Sequence, residues 1–221
     1  MKKLLFLTSL LVFFIINVSS QEITLKAIPY LMHFENYSND YKIISDDHIQ
    51  FSAPSQTDLF YSPDGDYVIN KSPRLLFKPD SNFILSAKIQ LDFKSKWDAG
   101  DLIIYNDDRH WAKFCFESDF KDQPRVVSVV CNNLADDCNS MAVNKNELYY
   151  RIVGSTKEHK FGLFYSEDGK SWFPIRIFAL DKIDNVRIGF SVQSPSGKGS
   201  TANFSEIHFQ GKRTFDWWKG E

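Results

Sequence analysis

DLIIYNDDRHWAKFCFE, residues 101–117, reads as a strand, a polar turn and a second strand. The turn Asn106-Asp107-Asp108-Arg109 uses residues that tolerate tight backbone geometry. Along the second strand Trp111, Lys113, Cys115 and Glu117 alternate with Ala112, Phe114 and Phe116. Successive strand residues face opposite sides of a sheet, so one face is apolar and the other carries an aromatic, a cation and a carboxylate in a row. A strand that buries one face and offers Trp, Lys and Glu on the other suits a polar ligand such as a sugar. The plainer alternative is a half-buried strand whose second face is merely solvated.

The pattern continues outward. Phe83–Phe93 alternates, Arg125–Cys131 is a β-branched run, and Glu147–Val153 alternates aromatic and aliphatic residues. Phe161–Tyr165 and Ser171–Phe178 flank an Asp168-Gly169 pair, a strong hairpin signal. Val186–Val192 and Ala202–Phe209 follow, with turns at Pro63-Asp64-Gly65-Asp66 and Ser194-Pro195-Ser196-Gly197. No helical period extends beyond a turn or so. Many short strands with polar turns predict an all-β sandwich or barrel.

Lys2 and Lys3 precede an apolar run, Leu4–Ile16, and Val18-Ser19-Ser20 follows. This predicts a signal peptide over residues 1–20, then a single domain over 21–221 that is exported to the periplasm or the extracellular space. The remainder holds no apolar stretch of bilayer-spanning length, so no membrane association is expected after cleavage. The composition, 43% hydrophobic with 20 Phe, can build a large core, and the net charge of −2 lacks the basic footprint of a nucleic-acid binder. A monomer is expected. Cys131 and Cys138 are close enough in sequence to pair after export, while Cys115 reads as a buried thiol. The aromatic tail Phe215-Asp216-Trp217-Trp218 would either dock on the body or form a sticky end.

Several short motifs occur in an order that resembles a known family. They are Thr57-Asp58-Leu59-Phe60, WAKFCFE at 111–117, VVSVV at 126–130, DDCNS at 136–140, SEDGKSW at 166–172 and VRIGFSVQSPSGKGSTANFSEI at 186–207. Together they resemble the concanavalin A-like domains of unknown function named after the regulation-of-enolase protein, which are similar to the β-sandwich module of β-xylosidases. The resemblance covers about residues 32–209. It implies a jelly-roll sandwich of two curved antiparallel sheets with a ligand groove on the concave face, and no particular activity. The chain departs from the family pattern at Cys131, where Thr is common, and at Ala135, where Ser is common. Both are expected beside the groove, where they would alter a ligand contact.

The candidate site follows from these two sources. Lys113 and Glu117 share a strand face, and a salt bridge between them is plausible. The resemblance places Arg151 and Arg176 among the family's recurrent positions. An inward Arg needs a partner, which Glu117 or Asp137 would supply. Lys113, Glu117, Asp137, Arg151 and Arg176 are therefore expected to converge as a polar floor, with Trp111 for stacking and Gln193 and Ser194 adding neutral contacts. Asp136 and Asp137 are read at a turn, where they would cap a loop, accept sugar hydroxyls or bind calcium; no other cofactor is implied.

The expected function is non-catalytic binding of an oligosaccharide or polysaccharide. A second reading is a glycoside hydrolase acting on a β-glucan. Glu117-Ser118-Asp119-Phe120-Lys121-Asp122 approximates the Glu-x-Asp-x-x-Glu of laminarinase-like glucanases, with Glu117 and Asp119 as its carboxylates. The last position is Asp, and Phe120–Pro124 looks like a turn that would splay the acids. A third reading is a structural or protein-interaction domain that uses the aromatic tail. No Ser-His-Asp arrangement and no phosphate-binding loop can be read.

Overall fold

The computed structural model describes residues 22–36 and 40–221. The expected signal peptide lies outside the described residues. Among those residues there is no helix, and the architecture is all-β. The larger, 8-stranded sheet runs in the order β1 (Glu22–Leu25), β2 (Ile28–Glu35), β7 (Arg74–Phe77), β16 (Arg187–Gln193), β9 (Ala99–Asp107), β10 (His110–Ser118), β11 (Pro124–Asn132) and β12 (Leu134–Ala142). The 7-stranded sheet runs β15 (Phe173–Ala179), β14 (Lys160–Ser166), β13 (Glu147–Ser155), β8 (Asn82–Leu91), β17 (Gly199–Gln210), β4 (His48–Pro54) and β3 (Tyr41–Ser45). A short hairpin of β5 (Leu59–Tyr61) and β6 (Val68–Asn70) stands apart from both. All pairings between strands are antiparallel, for example between β10 and β11.

The sandwich core is filled by the inward residues of both sheets. Ala112, Phe114 and Phe116 of β10 meet Leu148, Tyr150 and Ile152 of β13 and Phe204 of β17 in one buried cluster. The alternation read from residues 111–117 is thus the pleat itself, and apolar burial fixes its register. At Gly100 a Cβ would stand 2.9 Å from the Ala202 Cβ, so the close approach of β9 to β17 requires the missing side chain.

The opposite face of the larger sheet carries a second buried cluster, built from Ile103, Tyr105, Trp111, Cys115, Val127, Val129, Cys131 and Ala135 together with Leu59 and Tyr61 of the small hairpin. This face is therefore covered, not merely solvated. The hairpin is its cover. It turns at Pro63–Asp66, where Gly65 has φ 79°, as the sequence suggested. It is clamped at several points: at its open end Asn70 donates to Asp108 at 2.8 Å and accepts from Arg74 at 2.6 Å, and nearer the turn Arg109 stacks over Tyr61 at 4.2 Å. The same open end is held again where the Ser194 amide donates to Thr57 Oγ1 at 3.1 Å.

Two local readings are corrected, and a third, left open, divides. Asp136 and Asp137 lie on β12, not in a turn. That strand is polar because it is an edge, with little to bury, so it lacks the alternation that marks the inner strands. Cys131 and Cys138 are both free thiols. Cys131 lies opposite Ala135 on the covered face, while Cys138 lies opposite Ser128, whose neighbours Val126 and Val130 point to the core. The two thiols therefore leave their strands on opposite sides. The aromatic tail divides: Trp217 packs against the cluster of Ile84, Val153 and Phe164, whereas Phe215 and Trp218 are 84% and 74% exposed.

Candidate binding site

Between the hairpin and the larger sheet lies a cavity of about 270 Å³. Its aromatic walls are Phe60, Tyr67 and Trp97, and its polar lining is Asp58, Lys113, Glu117, Asp137 and Gln193. Each strand contributes through its outward parity. Lys113 and Glu117 come from β10, Val127 and Val129 from β11, Asp137 from β12 opposite Val129, and Gln193 from the end of β16. The hairpin segment brings Asp58, Phe60 and Tyr67 over them.

Lys113 is the centre of the polar network. It is 3% exposed and donates to Asp58 Oδ1 at 2.8 Å and to Gln193 Oε1 at 2.7 Å. Gln193 is oriented by those demands: its amide nitrogen donates to the Trp97 carbonyl at 3.2 Å and to Glu117 Oε2 at 3.3 Å. The expected Lys113–Glu117 salt bridge is thus replaced by a relay through Gln193, while the ion pair forms with Asp58 of the cover. Burial works against the Lys113 ammonium, but Asp58, Asp101 and Glu117 outweigh it and hold its pKa above the ordinary range. Burial pushes the Glu117 carboxyl well above its usual value, helped by Asp101, Asp137 and Asp58 and opposed by Lys113. Burial also raises Asp137. Asp101, fully buried behind Lys113, is raised to about 6 by burial.

Trp97 adopts a left-handed backbone with φ 69°, an uncommon state for a bulky residue. Its amide donates to the Ser118 carbonyl at 2.7 Å, which helps hold it there. The neighbouring Asp98 accepts from the Ser194 hydroxyl at 2.7 Å. Ser194 thus buttresses the loop that carries Trp97 and does not line the cavity.

Of the residues expected to form the site, Lys113, Glu117, Asp137 and Gln193 come together. Arg151 does not join them. It lies on β13 in the other sheet, where its guanidinium stacks over Trp172 at 3.9 Å and donates to the Gly220 carbonyl at 3.1 Å. Arg176, on β15, pairs with Asp136 at 2.9 Å outside the cavity. Trp111 is fully buried within the apolar cluster and donates its Nε1–H to the Asp108 carbonyl at 3.2 Å, so it presents no ring to a ligand. Asp119 is also buried. It accepts from the amides of Lys121 and Gln123 and pairs with Arg125 at 2.8 Å. It caps the turn and leaves Glu117 without the second carboxylate of a glucanase strand. Asp136 and Asp137, adjacent on a strand, face opposite sides and cannot hold one calcium ion together. Cys131 and Ala135 face each other in the apolar cluster and do not line the cavity.

The residues that sequence reading missed as ligand contacts are Asp58, Phe60, Tyr67 and Trp97. Asp58 and Phe60 lay in the Thr57–Phe60 motif, which was the available signal. Tyr67 and Trp97 sit beside turns with no periodicity to mark them.

Residues 34–212 match the family model described as "Protein of unknown function (DUF1349)", and the chain belongs to that family. No curated protein sequence matches it. Among solved structures, a functionally unknown protein from Saccharomyces cerevisiae is similar with a TM-score of 0.73 at 17% identity, over 83% of this chain and 97% of that one. A mutant of the GH43 protein BlXynB from Bacillus licheniformis is similar with a TM-score of 0.59 at 12% identity, over 81% of this chain but 39% of the other. Lectin I-B4 from Griffonia simplicifolia, in its metal-free form, is similar with a TM-score of 0.52 at 10% identity, over 81% of this chain and 92% of the lectin. At these identities the likeness is one of fold.

Proposed function

We propose that this protein is an exported, non-catalytic carbohydrate-binding β-sandwich that receives one sugar unit in the cavity beneath the β5–β6 hairpin. The observation that carries the reading is the composition of that cavity. Phe60, Tyr67 and Trp97 supply rings for the apolar face of a sugar, and Asp58, Glu117, Asp137, Lys113 and Gln193 supply donors and acceptors for its hydroxyls. Its volume, about 270 Å³, falls just below the range of drug-sized ligand pockets, beginning at about 300 Å³, and so favours a small occupant. The left-handed backbone of Trp97 is a strain of the kind found at ligand clamps. Structural neighbours named as a GH43 protein and a lectin accord with a carbohydrate context. The finer resemblance, to the family named after the regulation-of-enolase protein, belongs to the same proposal.

Hydrolysis is the weaker reading, because Asp119 is committed to its turn and to Arg125. The test is a glycan array followed by calorimetry on the purified protein. Trp97→Ala and Phe60→Ala should each weaken a bound oligosaccharide by about tenfold, equivalent to about 1.4 kcal/mol. If no oligosaccharide binds, the reading fails and the exposed Phe215 and Trp218 become the better lead.

A further inference from the structure

The charge around the cavity is unbalanced. Asp58, Glu117 and Asp137 line it, Asp101 lies behind it, and Lys113 is the one cation in its lining among the described residues. Lys113 is already committed to Asp58 and Gln193. Glu117 is 6% exposed, and its engaged oxygen is Oε2, which receives a long 3.3 Å bond from Gln193. Asp137 lines the cavity from the edge strand and, unlike Asp136, has no ion pair among the described residues. Glu117 and Asp137 thus present acceptor oxygens to a space walled by Phe60, Tyr67 and Trp97. Carboxylates within aromatic walls favour a cation, which the rings attract through their faces and the carboxylates through charge. An anionic ligand would meet uncompensated like charge.

We propose that this pocket selects a sugar bearing a protonated amine over its neutral and anionic counterparts, with Asp137 and Glu117 as the groups that receive the ammonium. This rests on the carbohydrate reading above. Burial raises the Glu117 and Asp137 carboxyls, so receiving a cation would draw protons from them, and binding should strengthen as pH rises. Charged groups face Glu117 from every element packed against it. Lys113 stands on its own strand, Asp101 on β9, Asp137 on β12 and Asp58 on the cover. Arg125, opposite it in register on β11, is taken by Asp119.

The test is calorimetry at pH 6 with a short glucosamine oligomer, its N-acetylated counterpart and a galacturonic acid oligomer of equal length. The amine oligomer should bind at least tenfold tighter than the acetylated one, and the acidic oligomer should bind weakest. Asp137→Asn and Glu117→Gln should each reduce the preference several-fold. Asp136→Asn makes the same change in net charge on the far side of the strand, paired to Arg176, and should leave the preference intact. Equal binding of amine and acetylated oligomers overturns this inference alone. So does a preference that Asp136→Asn reduces as much as Asp137→Asn, since that would be general electrostatics. If no sugar binds in any form, the carbohydrate reading falls with it.

Discussion

Lys113 and Arg151 are both cations on the outer face of a sheet, and both lie beneath a cover. Lys113 sits under the β5–β6 hairpin and is ringed by carboxyls, which hold its pKa up despite burial. Arg151 sits under the C-terminal segment. Burial lowers its pKa, with Glu221 the opposing carboxylate influence, and its Nε has no hydrogen-bond partner among the described residues. Its support is the ring of Trp172 and one carbonyl. The first arrangement surrounds an open cavity with polar groups. The second fills the space with indole, so that the cation serves as packing. Burial of a charge therefore does not mark a site by itself; what faces the charge decides.

The difference predicts unequal costs. Lys113→Met strands Asp58, Glu117, Asp137 and Asp101 without their counter-charge and should destabilise by about 3–5 kcal/mol in a urea titration, the usual cost of breaking a buried pair. Arg151→Met loses a stacked cation but also relieves its desolvation. It should cost no more than about 1 kcal/mol and leave sugar affinity unchanged. Equal losses for the two variants would erase the distinction drawn here.

Asp101 sharpens the comparison through pH. Its oxygens are buried and neither makes a well-formed hydrogen bond, so burial raises its pKa from 3.8 to about 6. A carboxyl raised in the folded state favours the protonated form. It imposes no penalty below the unfolded value near 3.8; the penalty grows as pH rises through that value and is complete above about 6. The full penalty is about 3 kcal/mol at 1.36 kcal/mol per pKa unit. Asp101→Asn should therefore stabilise the protein by about 1–3 kcal/mol at pH 7 and by little at pH 4. Chemical denaturation at the two pH values checks this. A variant equally stabilised, or destabilised, at both would show that Asp101 is not a strained acid.

How much of this was legible follows from the kind of signal each residue carried. The parity of residues 111–117 placed Lys113 and Glu117 on one face because strand alternation is local. Arg151 was placed by the resemblance, which does not say which of two sheets its strand joins, and β13 belongs to the other one. Trp111 shared the correct face yet is sealed by its neighbours, because the cover that buries it comes from residues 57–70, far away in sequence. Asp58, Phe60 and Tyr67 reach the cavity by that same tertiary route. Edge strand β12 was invisible because its solvated face removes the apolar alternation on which reading depends.

Arg176 provides the smallest expected effect and the strictest check on the outline of the site. Its guanidinium meets Asp136 at 2.9 Å, and the Asp136 side chain is 71% exposed, so solvent screens the pair. Exposed pairs of this kind contribute between about 0 and 1 kcal/mol, less at high salt. Arg176→Ala should fall within that range and should leave sugar affinity within about twofold, since the side chain lies outside the cavity lining. Arg176 does exert a weak pull on Asp137, lowering a carboxyl that burial has raised. Its removal should therefore shift the pH profile of ligand binding slightly upward, because Asp137 would ionise at higher pH. A tenfold loss of affinity in Arg176→Ala, measured by calorimetry at one pH, would place Arg176 in the site and extend the pocket across the edge strand to β15.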